Sequence, residues 1–567
     1  MRKRYHLRLG FGRSSAIRSR RRRTVRAIDL YAGIGGWSLG LRLAGIEVVA
    51  SYEWWAPAVD THNGNHGGSF TPTDVRQLDF SSIPKNVDIV VGSPPCTQFS
   101  YSNRGGGGDL AEGTKDLVRF FEVVDHVRPT WWAMENVPRV ADVLRRAFED
   151  EEHELYRFRH LAPKIEVIDF SEYGTPQARK RCIATNICFD RIKSYKAKVQ
   201  RVTLGDVVDA FAQADGAIID PVWGVTLPRD QVTETLPEPP LNAEELRMNR
   251  EAKLYHPVYN NMAFPDATNE PSRTVTATCT RVSRESIVIA DPGGEGAYRR
   301  LTIRERASLQ GFPITYQFFG RSFQDKAKMV GNAIPPSFTY LLAQAAKGVD
   351  AASLPSFAEA GSLLRLPSAK APSTPPEREG QSYPATRAFR SALPGLRFKS
   401  GMRFELANQR ADRDSWTVRF FFGPSTDVRE IELNDELLRQ LQSPFIQKVQ
   451  MATGAAFAQV ESELRKTSPA DVQSVWAHKA EGVGPFDLTD TLGRLAEAVH
   501  QHLCAASKDD RHAAIGYVLE AAARGEVGDN ISQSNKLTNN ALPILSGMLV
   551  GAWFNTLRWH AVCRAAA

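Results

Sequence analysis

Short apolar runs alternate with helical patterns through the first third of the chain. Runs with the length of a buried strand occur at 25–30, 47–51 and 87–91, and again at 131–136 and 165–170. Strands that alternate with helices are typical of a parallel sheet covered on both faces. The pattern therefore predicts an α/β fold built on a doubly wound, Rossmann-like sheet.

The pattern changes further along the chain. Residues 186–270 contain weak strands, proline-rich turns and a charged helix near 243–251, which indicates an inserted module. Residues 351–395 contain seven prolines with many Ser and Ala, which is a linker composition. We therefore predict a basic arm at 1–24, a core at 25–185, the inserted module at 186–270, the remainder of the core at 271–350, a linker at 351–395 and a C-terminal domain at 396–567.

The C-terminal domain is predicted to be α+β and mainly helical. Alternation at 415–422, a turn and a second run at 428–433 predict a hairpin. Helical patterns follow at about 435–465, 490–506, 510–524 and 541–561. Two roles remain open for this domain, a dimerisation or partner module and an accessory DNA contact. The lack of a dense basic cluster slightly favours the first.

A length of 567 residues is enough for two or more domains. Most of the net charge of +7 comes from residues 1–26, which carry eleven Lys and Arg and no acid. Without these eleven residues the formal charge is −4, so the net charge does not indicate that the rest of the chain binds a polyanion. Two interpretations of the arm are equally good. It is a DNA-binding tail, or it is a solvated tail or the product of an upstream start codon.

The six cysteines are scattered and include no C-x-x-C pair, so neither a zinc site nor a disulfide framework is expected. A reducing cytoplasm is the simplest inference. His62 and His66 flank Asn63-Gly64-Asn65, which should break a helix face, so no metal is expected there. The N-terminus lacks a signal peptide's apolar stretch, and the apolar segment 542–557 is too short to span a membrane.

A glycine loop, DLYAGIGG at 29–36, follows the first strand. Glu53 ends the second strand twenty residues after Gly33, where nucleotide-binding sheets place a ribose-binding carboxylate. The glycine spacing is not that of a dinucleotide fingerprint, so a ligand without phosphates, such as S-adenosylmethionine, fits at least as well. Trp54 is a candidate for stacking on adenine and Asp74, near the predicted end of the next strand, for its amino group. Surface or core roles explain these two equally well.

The stretch GSPPCTQFS at 92–100 follows a buried strand. The prolines before Cys96 restrict its backbone, which suits a positioned nucleophile. Taken alone, the stretch is equally consistent with a tight turn and an incidental buried cysteine. The four consecutive glycines within 103–108 predict a mobile loop. Glu135 ends a later strand, and Arg179 and Arg181 are expected on one face of an extended run.

The carboxyl ends of parallel strands meet at one edge of a sheet. The glycine loop, Glu53, Asp74, Cys96 and Glu135 are therefore expected to line one crevice. A thiolate and a carboxylate beside a methyl donor suit methylation of cytosine C5. The thiolate adds to C6, an acid at N3 stabilises the adduct, and a base then removes the C5 hydrogen.

Such a reaction requires a cytosine flipped out of its duplex. Arg179 and Arg181 could hold the base oxygen and the phosphate. The ordered motifs resemble the DNA (cytosine-5) methyltransferase family of prokaryotic type over about residues 25–348. The motifs are 29–36, Glu53-Trp54, Asp74-Val75, Pro94-Pro95-Cys96, 135–137, 177–181, 273–276 and Gly331-Asn332.

The resemblance implies a class I methyltransferase fold, S-adenosylmethionine as cofactor and double-stranded DNA as substrate. It implies Cys96 as the nucleophile, Glu135 at N3, Arg179 and Arg181 at the target nucleotide, and 186–270 as a target-recognition module that Arg273 helps to orient. The cofactor-lining residues it implies are Tyr31, Gly33, Gly35, Glu53, Trp54, Asp74, Val75, Pro94 and Asn332. Thr97, where the family has Gln, and Tyr31, where it has Phe, depart from the usual pattern.

Two other functions remain open. One is methylation of a tRNA cytosine, which the size of the inserted module disfavours. The other is a non-catalytic DNA-binding or assembly protein, which intact Cys96 and Glu135 disfavour. The resemblance leaves open a cognate restriction endonuclease, a protein partner or self-association through 396–567, and the DNA recognition sequence. It implies a cytoplasmic protein that associates with the nucleoid through DNA.

Overall fold

The computed structural model describes residues 24–96, 99, 110–212, 216–254, 262–278, 280–377, 390–398, 402–408, 416–423, 428–433, 437, 439, 444–466, 485–523, 531 and 533–557. Two predictions lie outside these residues, and they concern nearly all of the basic arm and the glycine-rich loop at 103–108. Thr97, which departs from the usual pattern, lies outside them as well.

The chain up to residue 361 folds largely as strands alternating with helices. Its strands are β1 (Arg26–Leu30), β2 (Glu47–Tyr52), β3 (Ile89–Gly92), β4 (Trp131–Asn136), β5 (Lys164–Asp169), β6 (Gln177–Ala178), β7 (Lys180–Thr185), β8 (Ala217–Ile219), β9 (Thr226–Pro228), β10 (Ser272–Arg273), β11 (Val288–Ala290) and β12 (Tyr298–Arg300). Its helices are α1 (Gly36–Leu43), α2 (Ala56–His66), α3 (Leu110–Val127), α4 (Arg139–Glu149), α5 (Phe189–Ser194), α6 (Leu204–Ala212), α7 (Ala243–Leu254), α8 (Ile303–Leu309), α9 (Phe323–Asn332), α10 (Pro336–Ala346) and α11 (Phe357–Gly361).

In the described part of the chain, six strands form the central sheet in the order β2-β1-β3-β4-β7-β5. The first four are parallel, and β7 runs antiparallel to both of its neighbours. Asp29 of β1 pairs with Val91 of β3, so the strand that leads to Cys96 lies directly beside the strand that leads to the glycine loop. The alternating pattern predicts this α/β sheet, and the sheet places both loops at one edge.

The strand predicted to end near Asp74 is absent from the continuously described stretch 24–96. The segment between α2 and Asp74 contains Gly67, Gly68 and Pro72, which weaken a strand ladder. Asp74 instead caps a single 3₁₀ turn, where its carboxylate accepts the Arg76 amide at 2.9 Å. The outer edge of β2 therefore has no strand partner in that stretch.

Helix α2 continues through the segment that was expected to interrupt it. Asn65 donates to the Gln317 carbonyl at 2.7 Å and accepts the Gln317 amide at 2.8 Å. Gly64 lies so close to Phe319 that an added Cβ would be 2.3 Å from its ring. Tertiary contacts therefore override low helix propensity, and His62 and His66 occupy one helical face after all.

The described residues of 186–270 share the hydrophobic core of the strands and helices that precede them. Trp223 is fully buried, and its indole nitrogen donates to the Gly311 carbonyl at 2.8 Å. Buried ion pairs extend the connection, because Glu238 binds Arg300 at 2.6 Å and Glu245 binds Arg281 at 2.7 Å. The segment is therefore integrated with 271–350 through packing and through charge.

The predicted linker is wrong at both of its ends. Residues 351–377 pack on the domain that contains the central sheet, where the Phe357 ring lies 5.2 Å from that of Trp223. Thr374 donates to Glu234 at 3.0 Å, and Glu377 binds Arg300 at 2.5 Å. Strand β13 (Arg390–Arg397) occupies the other end. A proline-rich composition fits a docked extended segment as well as a free linker, because both lack a repeating hydrogen-bond pattern.

The C-terminal region combines a sheet with helices. Strands β13, β14 (Arg403–Ala407), β15 (Thr417–Phe422) and β16 (Arg429–Glu432) are antiparallel in chain order, and β15 with β16 confirms the predicted hairpin. The helices are α12 (Pro444–Leu464), α13 (Pro485–Cys504), α14 (Lys508–Ala523), α15 (Ser534–Asn539) and α16 (Ala541–Thr556). They enclose a second hydrophobic core.

Candidate functional site

The glycine loop turns sharply through left-handed backbone conformations. Tyr31 and Gly33 have φ of 52°, and Gly35 has φ of 94°. A Cβ on Gly36 would lie 2.1 Å from the Ile334 carbonyl, so only glycine allows α1 to approach that segment. At Gly33, by contrast, a Cβ would meet nothing within 4 Å. The loop thus packs tightly on one side and faces open space at Gly33.

Glu53 connects this loop to the start of α2. Its carboxylate accepts the amides of Gly33 at 2.9 Å, Trp54 at 2.9 Å and Trp55 at 2.8 Å. Burial raises the pKa of Glu53, and the three hydrogen bonds oppose that rise. The carboxylate therefore has a fixed position beside the glycine loop.

The other predicted cofactor residues surround these two features. The Trp54 side chain is 66% exposed, so its ring face is open to a ligand. Asp74 is also exposed. The Tyr31 hydroxyl donates to the Asp116 carboxylate at 3.3 Å, and Arg76 donates to the same carboxylate at 2.8 and 2.7 Å. Tyr31 is therefore held by a charged pair.

Three further predicted residues differ in exposure. Val75 and Pro94 are buried, whereas Asn332 is exposed at the end of α9. Nearby, the Lys328 ammonium lies 4.4 Å from the centroid of the Trp55 ring, and its charge opposes the rise in the pKa of Glu53. Helix α9 therefore presents polar groups beside the Glu53 end of the crevice.

The loop that carries Cys96 is clamped to its neighbours. The Ser93 amide donates to the Leu30 carbonyl at 3.2 Å, and its hydroxyl accepts the Trp37 indole at 3.0 Å. The Pro94 carbonyl accepts the Asn136 amide at 3.0 Å. These contacts join the loop to β1, α1 and β4. The backbone that leads to Cys96 is therefore held on three sides.

Cys96, Glu135 and Arg181 lie close together. The Glu135 Oε1 atom is 3.0 Å from Arg181 Nε, and both side chains are largely buried. Burial raises the pKa of the Cys96 thiol, and the Glu135 charge raises it further, whereas the charges of Arg181 and Arg179 lower it. The arrangement can orient a carboxyl beside a thiol and offer positive charge to a thiolate.

Arg179 is used differently from Arg181. It is 2% exposed, and its Nη atoms donate to the carbonyls of Val275 at 3.1 Å, Gly331 at 2.9 Å and Ala333 at 3.3 Å. Burial lowers its pKa to about 9. Both Nη atoms therefore bind the protein itself. A contact of Arg179 with the target nucleotide stays a prediction.

The sequence reasoning assigned no role to two side chains that support the site. Asn136 holds the Cys96 loop, as described above. Gln177 donates to Gln310 at 2.5 Å and accepts the Val275 amide at 2.8 Å, so it ties β6 to the segment after β10. Both amides occur inside motifs that the sequence shows, but an amide's partner cannot be inferred from its spacing.

The described residues contain no group of three His, Cys, Asp or Glu side chains arranged to hold a metal ion. Cys96, Cys182, Cys188 and Cys504 are free thiols. No described helix is long and apolar enough to cross a membrane.

Comparisons with known proteins converge on one family. Residues 25–348 match the family model described as C-5 cytosine-specific DNA methylase. The type II methyltransferase M.HgiDI of Herpetosiphon aurantiacus is 28% identical over 327 residues, which are 56% of this chain and 93% of that protein. M.HindV of Haemophilus influenzae is 26% identical over 332 residues, 57% of this chain and 96% of its own.

Solved structures show a weaker likeness. The methyltransferase EhMeth of Entamoeba histolytica is 14% identical and has a TM-score of 0.41, with 58% of this chain and 99% of that chain covered.

Proposed function

Because the chain belongs to the C-5 cytosine-specific DNA methylases, we propose that Cys96 attacks C6 of a cytosine flipped out of double-stranded DNA. The chain transfers a methyl group from S-adenosylmethionine to C5 of cytosine in DNA, as its family does. The observation that supports the assignment is the grouping of Cys96, Glu135 and Arg181 beside the carboxyl ends of adjacent strands β3 and β4.

The thiolate of Cys96 forms a bond to C6, and the electron pair of the C5–C6 double bond moves to C5. Bound S-adenosylmethionine would supply the methyl group as an electrophile and leave as S-adenosylhomocysteine, its sulfur keeping the electron pair of the broken bond to the methyl carbon. A base then removes the C5 proton, the double bond re-forms, and the thiolate leaves. Burial disfavours the ionised form of the thiol. The positive charges of Arg181 and, to a lesser extent, Arg179 favour it.

Glu135 is proposed to hold N3 of the target cytosine and to share a proton with it. The Arg181 guanidinium at 3.0 Å fixes the orientation of the Glu135 carboxyl group. We propose Arg181 as the arginine that also reaches the target nucleotide. Arg179 is proposed as a positioning residue, because its Nη atoms hold the segments around Val275 and Gly331.

The cofactor is proposed to bind along the glycine loop. The open space in front of Gly33 suits the amino-acid part of S-adenosylmethionine. The fixed carboxylate of Glu53 suits the ribose, and the exposed ring of Trp54 suits the adenine. Asp74 is proposed to accept from the adenine amino group. Tyr31, Gly35, Val75, Pro94 and Asn332 complete the proposed lining.

Offering labelled cofactor with duplex DNA and with tRNA tests the proposed substrate. We expect label in C5 of cytosine in DNA alone. Label in tRNA alone would contradict the proposal. Bisulfite sequencing of DNA from a host that expresses the protein would then give the recognition sequence.

Target recognition is proposed for residues 186–270, with Arg273 orienting the segment. The Arg273 guanidinium binds Asp266 at 3.0 Å and donates to the Arg284 carbonyl at 2.7 Å, which joins β10 to the end of the module. The relatives are named type II methyltransferases, so we propose a modification enzyme of the restriction–modification kind, with or without a cognate endonuclease. Resistance of DNA from an expressing host to cleavage by candidate endonucleases tests the proposed modification role.

Adduct formation by Cys96 is expected to accelerate with rising pH. The pKa of the free thiol lies above its ordinary value, so the thiolate fraction increases by about tenfold per pH unit below that pKa. Rapid-quench trapping on a 5-fluorocytosine duplex between about pH 6.5 and about pH 8.5 would measure this rate. DNA binding measured over the same range serves as the control. A rate independent of pH would show that Cys96 is already ionised.

The boundary of the catalytic unit is expected after Glu377. A chain that ends there keeps Phe357, Thr374 and Glu377 on the domain, whereas one that ends at Gly348 loses all three. We expect the longer fragment to methylate DNA within about twofold of the full chain and the shorter to melt about 5 °C lower or more. Equal melting temperatures would show that the 351–377 segment contributes nothing.

The domain beyond residue 390 is proposed as a self-association or partner module, since it has its own hydrophobic core. Light scattering of the full chain and of the fragment that ends at Glu377 tests this. A fragment with the same oligomeric state as the full chain would argue against self-association.

A further inference from the structure

A line of hydrogen bonds runs from the protein surface to the back of the glycine loop. The exposed Arg42 lies at the end of α1, and its Nη1 atom is 2.9 Å from His66 Nδ1. His66 Nε2 is 3.1 Å from the Tyr316 hydroxyl. The Tyr316 hydroxyl reaches the Ile34 carbonyl, in the middle of the loop between Gly33 and Gly35.

The chemistry of the groups sets the direction of every bond in this line. A guanidinium has only donors and a carbonyl only an acceptor, so Arg42 must donate at one end and Ile34 must accept at the other. His66 Nδ1 therefore accepts, Nε2 carries the proton and donates to Tyr316, and the Tyr316 proton goes to Ile34. Burial, with the nearby His62 and Arg42, holds the pKa of His66 well below its ordinary value, which keeps the ring neutral as this pattern requires.

The same rings also pack against the loop. A Cβ on Gly35 would lie 2.5 Å from His66 Nε2 and 2.9 Å from His62 Cδ2. The Tyr316 side chain is buried and cannot move aside. On the opposite side, the Gly33 amide donates to Glu53 at 2.9 Å. The loop is therefore held between the Glu53 carboxylate and the line from Arg42 to Tyr316.

We propose that Arg42, His66 and Tyr316 are positioning residues that set the orientation of the Ile34 peptide and so hold the glycine loop in its cofactor-binding form. The inference rests on the proposed binding of S-adenosylmethionine along this loop. Without the Tyr316 hydroxyl, the Ile34 carbonyl loses this donor, and the loop can adopt other orientations before the cofactor binds. Part of the binding free energy is then spent on ordering the loop.

Tyr316→Phe tests the proposal, because it removes the hydroxyl and keeps the ring. We expect the Kd for S-adenosylhomocysteine, measured by titration calorimetry, to rise about fivefold or more, which corresponds to one net hydrogen bond. The kcat at saturating cofactor should change by less than about twofold, because the line touches neither Cys96 nor the target base.

Tyr340→Phe is the matched control. The Tyr340 side chain is equally buried, and its hydroxyl donates to the Pro355 carbonyl at 3.1 Å, away from the loop. It should lower the melting temperature without changing the Kd. Equal Kd values for Tyr316→Phe and the wild type, or an equal rise in both variants, would overturn the proposal.

A second pair of variants keeps the test valid if Tyr316→Phe folds poorly. In His66→Gln the side-chain amide can still donate to Tyr316, whereas the side chain in His66→Leu cannot. His66→Gln should therefore bind S-adenosylhomocysteine more tightly than His66→Leu does. Equal affinities would contradict the proposal. Glu53→Ala tests the proposed cofactor site separately. If this variant still binds S-adenosylhomocysteine, the cofactor site itself is assigned wrongly. If Glu53→Ala loses binding while Tyr316→Phe keeps the wild-type affinity, only the positioning role of Arg42, His66 and Tyr316 is overturned.

Discussion

Replacing Cys96 with serine is expected to lower the methylation rate by about a thousandfold or more, because a serine hydroxyl is far less ionised and less nucleophilic than a thiol in the same place. The loop around residue 96 should keep its geometry, since its clamps involve Ser93, Pro94 and Asn136 rather than the thiol. Binding of S-adenosylhomocysteine should therefore remain at the wild-type level. Labelled-cofactor assays with duplex DNA and titration calorimetry measure the two quantities.

Cys188→Ser is the matched control for this variant. Cys188 is an exposed free thiol that precedes α5 and lies outside the proposed site. Its replacement should leave methylation unchanged. A Cys96→Ser protein that retains methylation within about tenfold of the wild type would show that another group attacks the base. Loss of S-adenosylhomocysteine binding in Cys96→Ser would instead show that the substitution disturbed the loop around residue 96.

Replacing Glu135 with glutamine is expected to slow methylation by about a hundredfold or more, the range of a general acid. Glutamine has the size of glutamate and can still accept from Arg181, but it cannot share a proton with N3 of the cytosine. The substitution should slow adduct formation on a 5-fluorocytosine duplex and leave the affinity for S-adenosylhomocysteine unchanged. Single-turnover measurements separate these effects from DNA binding.

Glu122→Gln provides the comparison for that result. Glu122 also pairs with arginines, Arg119 at 3.1 Å and Arg157 at 2.8 Å, but on the outer face of α3. Its replacement should leave the methylation rate within about twofold of the wild type, since surface pairs contribute little. A near-normal rate for Glu135→Gln would remove the proposed role at N3.

The sheet and its functional edge could be predicted from the sequence because both depend on local patterns. Buried strands leave apolar runs, and the residues that follow each run are placed by strand order alone. This reasoning brings Gly33, Glu53, Cys96 and Glu135 to one edge, and the structure places them at the ends of β1, β2, β3 and β4. Asp74 has no strand of its own, but it follows Thr73, whose amide donates to the Glu53 carbonyl at 2.7 Å, so it lies beside the same edge.

Features that depend on distant partners could not be predicted in this way. Arg179 and Arg181 alternate as in a strand, but Arg179 falls between β6 and β7, and it turns inward to three carbonyls that lie about a hundred residues or more further along the chain. The segment 351–377 has the composition of a linker, yet Thr374 binds Glu234, 140 residues away. Neither relationship has a local signal in the sequence.

His62 and His66 show both limits together. Their spacing of four residues suits one helical face, but Asn63-Gly64-Asn65 between them predicts a break, which contacts with Gln317 and Phe319 prevent. With the helix intact, the neutral His66 ring lies between Arg42 and Tyr316 and contacts both. The role proposed for it depends on partners on other elements, Arg42 on α1 and Tyr316 beyond α8.

Trapping on a duplex that carries 5-fluorocytosine tests the central claim most directly, because fluorine at C5 cannot be removed as a proton and the adduct persists. The full chain, incubated with this duplex and S-adenosylmethionine, should form one covalent complex, and mass spectrometry of its peptides should place the nucleotide on Cys96. No complex, or an adduct on another residue, would contradict the account.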